Sequence, residues 1–534
     1  MSATATRTMR AKKTTGLRFW MLRVLEECER VSTDFGPDPV HDLRVSLRRC
    51  RSMADGLMAI DPDPNWKAMR KAGKRLFQRL GDLRDIHVMT EWVEKLEPNS
   101  VERTPLWQAQ GKLSPALSES DQNGEAVPDE SISYSALGDP AAHALLKILQ
   151  QRESEQEREA HAALEEFDRK QWRQWSNSLP ARAARIRPGS PLFKHLALER
   201  WTAARELHTR ALRNRSQAAF HSLRIGIKRF RYIVENFLPA EHQAWSNDLK
   251  EVQDLLGEVH DLDVFWATAV SSHVFPDAAS RKRWHERILS ERTKRIERFR
   301  AKMTGPDSLW QVWRTSLPQG KQIQTLATRR MKLWANGLDP DFPHSERVAS
   351  LALQLYDGLL ATGWQPSVDG ISARSSLLAA AMLHDVGKSK GEKRHHKTSF
   401  DLIRAHGNPL GWKTADLQRA AIVARFHRGA LPTRKHKALR DLLADEQKAT
   451  IQLAAVLRLA NALDAAHDGH IRRVQVENGQ FTTKVNEALI IAAEGYSALG
   501  QSAQTIAAER HLLETVLRRP IVVKSMKSAA SRKL

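Results

Sequence analysis

The sequence has little cysteine: only Cys28 and Cys50 occur in 534 residues. With no C-x-x-C pair, they exclude a disulfide framework and a thiolate zinc site and favour a reducing compartment. Long apolar runs are also missing. No stretch approaches the ~18 consecutive apolar residues of a membrane span. The opening MSATATRTMRAKKTTG is basic and acid-free but lacks the apolar segment of a signal peptide, so residues 1–14 read as a disordered basic tail. Acidic residues are in deficit, with 62 Asp and Glu against 84 Lys and Arg, a net charge of +22. Such a surplus favours a polyanionic partner, whether nucleic acid, acidic lipid or polyphosphate. An apolar content of 41% is that of an ordinary globular protein, and the length allows roughly two to four domains.

One cationic stretch is present twice. HDLRVSLRRCR (41–51) returns as HSLRIGIKRFR (221–231). His41, Arg44, Arg48 and Arg51 recur with the helical period on one face, and Leu43, Leu47 and Cys50 fall on another. The second copy matches with His221, Arg224, Lys228 and Arg231 against Leu223, Ile227 and Phe230. A second echo pairs KRLFQRLGDLRDIHV (74–88) with KEVQDLLGEVHDLDV (250–264), superposing Lys74 on Lys250 and Asp85 on Asp261. A third pairs QWRQWSNSLP (171–180) with LWQVWRTSLP (309–318). The offset between copies falls from 176 to 138 between the last two echoes. The first copy therefore carries an insertion, and 97–140, rich in Ser, Pro, Gly and acidic residues, is expected to be a disordered surface loop. Residues 15–318 read as a tandem duplication of one helical unit, with copies at about 15–180 and 190–318, each burying its apolar stripe partly against the other.

A merely solvated face has no need to keep spacing, sign and histidine together in two copies. Arginine suits phosphate because its planar fork donates two parallel hydrogen bonds and keeps its charge. Two such ladders facing each other would form a positive groove suited to an extended, uniformly charged chain. The motif pair, each copy followed by a helix ending in LGDLRDIHV or LGEVHDLDV, resembles the CHAD domain, the conserved-histidine α-helical domain, over about residues 15–318. The resemblance implies two antiparallel helical bundles related by pseudo-twofold symmetry, with a basic central cavity that binds inorganic polyphosphate. Carried onto the matching positions, the contacts would be His41, Arg44, Arg48, Arg51 and Lys74 with His221, Arg224, Lys228, Arg231 and Lys250. The rival partner is nucleic acid, whose sequence-tolerant single-strand binders interleave aromatic platforms with basic residues. Here Phe230 and Tyr232 occur only in the second copy, and Phe230 falls on the apolar side, so polyphosphate fits better.

After Pro318 the punctuation changes, and a new helical block begins near Thr325. His344, the pair His384-Asp385 in AAAMLHDVGK and Asp464 in LAAVLRLANALDAAH each sit in an apolar helix pattern, which would bring them together inside one bundle. Two imidazoles and two carboxylates suit a divalent metal such as Mn²⁺, Mg²⁺, Fe²⁺ or Zn²⁺. His395, His396 and His427 could hold a second metal or meet phosphate, with Lys388, Arg347 and Arg428 neutralising it. IRRVQVENGQFTTKVNEALIIAA alternates around Asn478-Gly479 as a β-hairpin would. A helix and a last strand, PIVVK, complete a small α+β tail, and 525–534 form a second basic tail.

HDVGK, HHKTS, FHR and LRLANALD resemble the HD superfamily of metal-dependent phosphohydrolases. The closest pattern is the C-terminal domain of the exopolyphosphatase/guanosine pentaphosphate phosphatase family, over about residues 325–524. The resemblance implies His344, His384, Asp385 and Asp464 as metal ligands, with Asp385 bridging metals or orienting water and Lys388 countering phosphate charge. No Gly-rich phosphate loop precedes residue 325, and Thr398 stands where relatives often carry another histidine. Two readings therefore stand. The second domain either hydrolyses a phosphoester or phosphoanhydride in polyphosphate or a phosphorylated small molecule, or it senses such a ligand in a non-catalytic binding protein. The expected setting is the cytoplasm, with association to polyphosphate granules.

Overall fold

A computed structural model of the chain describes residues 16–97, 138–479, 488–500 and 502–526. The basic stretch 1–14 lies outside them, as do residues 98–137 of the 97–140 insertion and residues 527–534 of the second tail. The chain divides into two compact units. The first runs to Leu57 and resumes over Pro64–Leu317; the second takes Met58–Asp63 and the chain from Pro318 onward.

In the first unit, α1 (Leu17–Thr33), α2 (Pro37–Leu57), α3 (Pro64–Ala72), α4 (Lys74–Leu96), α5 (Pro140–Glu165) and α6 (Arg169–Ala183) form one copy. α7 (Pro191–Asn214), α8 (Gln217–Phe237), α9 (Pro239–Ser271), α10 (Ala278–Met303) and α11 (Leu309–Thr315) form the other. Leu43, Leu47 and Cys50 of α2 are fully buried, and so are Leu223, Ile227 and Phe230 of α8. Each large apolar side chain taken out of water contributes ~1.5–3 kcal/mol, and these stripes fix the rotation of both helices. The cations on the other face thereby stay out of the core, where an unpaired charge would cost several kcal/mol.

The copies differ where α3 and α4 break at Gly73, while α9 runs through the equivalent position, Leu249. A Cβ on Gly73 would stand 3.2 Å from Leu47 Cδ2 and 3.6 Å from Trp172 Cζ3. The missing side chain lets α2 and α6 close on the break. A shared core then joins the copies, with Ile86, Trp92 and Leu96 of α4 and Leu145 of α5 packed with Leu262 and Phe265 of α9 and Trp284 of α10. Arg287 of α10 donates to the Leu96 carbonyl at 2.8 Å, closing the C-terminus of α4.

The second unit holds α12 (Lys321–Asn336), α13 (Phe342–Ala361), α14 (Gly370–Leu383), α15 (His395–His406), α16 (Thr414–Arg425), α17 (Lys437–Arg440) and α18 (Ala444–Leu463). Alanines 379, 380 and 381 of α14 and 454, 455 and 460 of α18 are completely buried; such small side chains allow close helix approach. β1 (Arg473–Asn478) pairs antiparallel with β2 (Leu489–Glu494), and β2 pairs parallel with β3 (Ile521–Ser525). α19 (Ala503–Leu517) supplies the crossover that parallel strands need. The expected hairpin is formed by β1 and β2, but its turn needs correction. Asn478 pairs with Leu489, so the connection spans 479–488 and Asn478-Gly479 is not a two-residue turn. The register instead follows the apolar alternation, setting Val474 and Val476 opposite Ala493 and Ile491. The fold is mainly helical with a small α+β tail, and among the described residues no helix is long and apolar enough to cross a membrane.

Candidate functional site

In the first unit the two motif copies meet. Lys228 of α8 interacts with Arg224 on its own helix and with Arg44 and Arg48 of α2. Burial, reinforced by those like charges, pushes the Lys228 ammonium down to about 8, and Asp261 opposes them. Asp85 of α4 and Asp261 of α9, equivalent in the second echo, are the internal counterions. Burial raises both carboxyl groups, Asp261 to about 6, against the pull of Arg224 and Lys228 on each and of Arg44 on Asp85. Nε of Arg224 and Nη1 of Arg51 are buried donors with no hydrogen-bond partner among the described residues.

The outer positions diverge. Arg51 lies over the Phe77 ring at 4.6 Å, close to Asp55 and Arg70. Arg231 stands 3.9 Å from Glu235 and shares the neighbourhood of Asp254 with Lys250. His221 faces His260, Nδ1 to Nδ1, at 3.3 Å. His41, Lys74 and Lys250 are exposed. A cavity of about 470 Å³ adjoins Arg224 and Lys228 and is lined also by Arg84, Lys95, Arg295 and Asp261. Sequence reasoning missed Asp85 and Asp261 as site residues although their superposition was visible. Lys95 and Arg295 reach the cavity by packing alone and carry no sequence signal.

In the second unit the chemistry is built around HDVGK. α14 ends at Leu383 with His384 as its C-cap, and the 3₁₀ turn Val386–Lys390 follows Asp385. A Cβ on Gly387 would overlap the His395 carbonyl and stand 2.6 Å from the Ser399 nitrogen, so only glycine lets this turn lie against α15. Ser399 Oγ locks the contact, accepting from the Gly387 nitrogen at 2.8 Å and donating to the His384 carbonyl at 2.6 Å.

Three imidazoles converge on Asp385. Nδ1 of His384 donates to the Ala381 carbonyl at 2.8 Å, that of His395 to Glu392 at 2.9 Å and that of His427 to Ala424 at 2.7 Å. A carbonyl oxygen only accepts, so each Nδ1 carries a proton, which makes Nε2 the lone-pair nitrogen of the neutral ring. Nε2 of His395 lies 3.2 Å from Nε2 of His427 and 3.1 Å from Asp385 Oδ1. His427 Nε2 stands 3.5 Å from the same oxygen, and His384 Nε2 stands 3.5 Å from Oδ2. His384 Nε2 and Asp385 Oδ1 are buried with no hydrogen-bond partner among the described residues. Burial holds His384 and His427 below the usual histidine range. Burial works against the Asp385 carboxylate too, but His384, the contact from His395, His427 and Lys388 together hold it well below its usual range. Lys388 Nζ lies 2.6 Å from Asp385 Oδ2. Buried lone pairs facing one another around an ionised carboxylate fit a divalent cation of mixed N/O preference.

Not every expected ligand joins this cluster. His344 is within reach of His384 and Asp385, but both its nitrogens are engaged, Nδ1 with Asp464 Oδ2 at 2.7 Å and Nε2 with Asn461 Oδ1 at 3.0 Å. Asp464 also accepts from Arg347 Nε through both oxygens, at 3.1 and 2.9 Å, and from the Gly469 nitrogen at 3.1 Å. Burial opposes the Asp464 carboxylate, and the bonds from His344 and Arg347 outweigh it. His396 is half-buried and Arg428 exposed on the rim; burial and the charges of His395, Arg425 and Arg428 push His396 down to about 4.

Family-model comparison matches residues 21–270 to the CHAD domain and residues 329–512 to Ppx/GppA phosphatase, domain III. The chain carries a CHAD domain followed by a Ppx/GppA domain III. The CHAD match encloses both motif copies and both internal carboxylates, and the domain III match encloses the whole histidine cluster, His344 and Asp464. No curated protein matches the chain.

Proposed function

We propose that the chain binds inorganic polyphosphate through its CHAD domain and hydrolyses a phosphoester or phosphoanhydride in domain III with a divalent metal. The binding half is carried by the convergence of Arg44 and Arg48 with Arg224 and Lys228, two copies of one motif forming one half-buried cluster. Each charge-assisted hydrogen bond from such a cation contributes ~1.5–3 kcal/mol, and a repeating anion can engage both copies at once. The hydrolytic half rests on the Nε2 lone pairs of His384, His395 and His427 and on the Asp385 carboxylate, which would hold the ion.

When bound, a divalent ion supplies Lewis-acid stabilisation of charge developing on phosphoryl oxygens. The chain's own groups do the rest. Asp385 stays ionised, Lys388 neutralises its outer oxygen, the backbone bonds to Nδ1 keep the imidazoles aimed, and burial disfavours charge on His384 and His427. The test is phosphate release from long-chain polyphosphate, with metal content measured on the same protein. Wild type is expected to retain a divalent metal and release phosphate, and Asp385→Ala to do neither. Equal release by both proteins, or none by wild type, sinks the hydrolytic half.

A further inference from the structure

Arg458 of α18 is a buried arginine, 5% exposed, that meets no expected ligand. Its Nη1 donates to the Phe426 carbonyl at 3.1 Å and to the Gly429 carbonyl at 3.2 Å, and Nη2 reaches Gly429 at 3.3 Å. These carbonyls bracket His427 and Arg428. The opposite edge of the guanidinium is held by Glu509 of α19, through Nε at 2.6 Å and Nη2 at 3.2 Å. Nε and both terminal nitrogens are thus committed inside the protein, leaving little of the fork to hold a phosphate.

The location makes this a brace on the histidine cluster. α16 ends at Arg425, so the Phe426 carbonyl belongs to the helix C-terminus, where orphan acceptors need a donor and a cation is favoured. Gly429 takes φ +78, a left-handed conformation that glycine adopts without strain. Between them His427 is 3% exposed, with Nδ1 tied to Ala424 and Nε2 pointed at His395 and Asp385. Glu509 comes from the α+β tail, beyond the helices that carry the cluster.

We propose that Arg458 and Glu509 are positioning residues, with the tail carboxylate fixing the guanidinium that clamps Phe426–Gly429 and aims His427 at the metal site. This rests on the metal-site reading above. A conserved-shape control exists in the same unit. Arg419, 3% exposed, pairs with Glu446 through Nε at 3.0 Å and with Ser372 and Ser376 at 2.9 Å, and its hydrogen bonds and ion pairs among the described residues go to no histidine.

The test uses the full chain, with Mn²⁺ and Zn²⁺ affinity, melting of the chelated protein and amide exchange of a peptide over 420–430. Glu509→Gln is expected to weaken metal binding ~10–100-fold, Arg458→Lys at least as much, and Glu446→Gln less than about threefold. Glu509→Gln and Glu446→Gln should lower the chelated melting temperature alike, but only Glu509→Gln should speed exchange over 420–430. Arg458→Lys keeps the charge and loses the fork, separating aim from electrostatics. Equal metal affinity in Glu509→Gln and Glu446→Gln, with unchanged exchange, overturns the positioning role. If wild type takes up neither metal, the metal reading falls and exchange alone decides the brace: faster exchange in Glu509→Gln supports it, and unchanged exchange overturns it.

Discussion

The cation cluster of the CHAD domain and the histidine cluster of domain III both gather groups that repel one another, and they solve the problem in opposite ways. Arg44, Arg48, Arg224 and Lys228 stay half-buried, and Asp85 and Asp261 stand among them as replaceable counterions. His384, His395, His427 and Asp385 are at most 3% exposed, and each ring is fixed by a hydrogen bond to its own helix or turn. An extended anion needs many modest contacts that an internal carboxylate can relinquish. A point cation needs a few lone pairs that cannot turn away. One site is therefore written as a repeated surface period and the other as a buried convergence of separate segments.

The comparison is most easily broken at its most concentrated point. Asp385→Ala removes the one carboxylate that, among the described residues, stands between His384, His395 and His427, and metal affinity should fall by two orders of magnitude or more, at the upper end of ~10–100-fold losses for supporting groups. Metal content after dialysis checks this, and retention near the wild-type level would show that the imidazoles need no shared anion. In the cation cluster, Arg44→Glu with Arg224→Glu should weaken polyphosphate retention at least ~100-fold at moderate salt, since two charge-assisted contacts of ~1.5–3 kcal/mol are lost. The salt dependence should become shallower. Unchanged retention would overturn the picture of one site made from both copies.

Charge state offers a finer test. Asp261, raised by burial to about 6, is neutral below that pH and gains a negative charge above it. Lys228, lowered by burial to about 8, is charged below that pH and neutral above it. Raising pH from 5 to 9 therefore first adds an anion and then removes a cation, and both steps weaken polyphosphate binding. His260, pushed down to about 4 by burial and by Arg224 and His221, stays neutral across this window. Each step should be about three- to tenfold, the size of one partly screened charge. Asp261→Asn should abolish the lower step and Lys228→Arg the upper one. Affinity at constant ionic strength that is flat or rises with pH contradicts the assignment.

What could be read beforehand follows from the range of the interactions. Helical period is local, so the apolar and cationic faces of 41–51 and 221–231 could be assigned from the chain itself, and repetition pointed to their meeting. The same period does not report depth, which is why Lys74 and Lys250 read as equals of Arg44 and Lys228 although both are exposed. In domain III, His384, Asp385, His395 and His427 were visible as chemistry, but their convergence on one carboxylate was not. His395 and His427 share Asp385 with His384. Arg347 engages Asp464 across 117 residues and Glu509 engages Arg458 across 51. Such pairings are set by how helices pack, and a single sequence carries no record of them.

The smallest expected effect separates two neighbours on α2. Arg48 faces the cluster, whereas Arg49, next in sequence, pairs with Glu235 of α8 and donates to Asn236 Oδ1 at 3.4 Å. Asn236 in turn donates to Ser52 Oγ at 2.9 Å, so this patch clips one copy to the other. The equivalent of Arg49 in the second copy, Arg229, is exposed, which marks the clip as asymmetric and structural. Glu235→Gln leaves the Arg49 guanidinium partly buried without its anion, a loss of about 1–3 kcal/mol after allowing for its partial exposure. That corresponds to roughly 2–4 °C per kcal/mol in melting temperature for a unit of this size. Polyphosphate retention should change by less than about threefold, because no cation of the cluster is removed. A retention loss approaching that of Arg44→Glu with Arg224→Glu would make Glu235 an orienter of the grip through Arg49 or Arg231, and the distinction between cations that hold the protein and cations that hold its ligand would fail at that position.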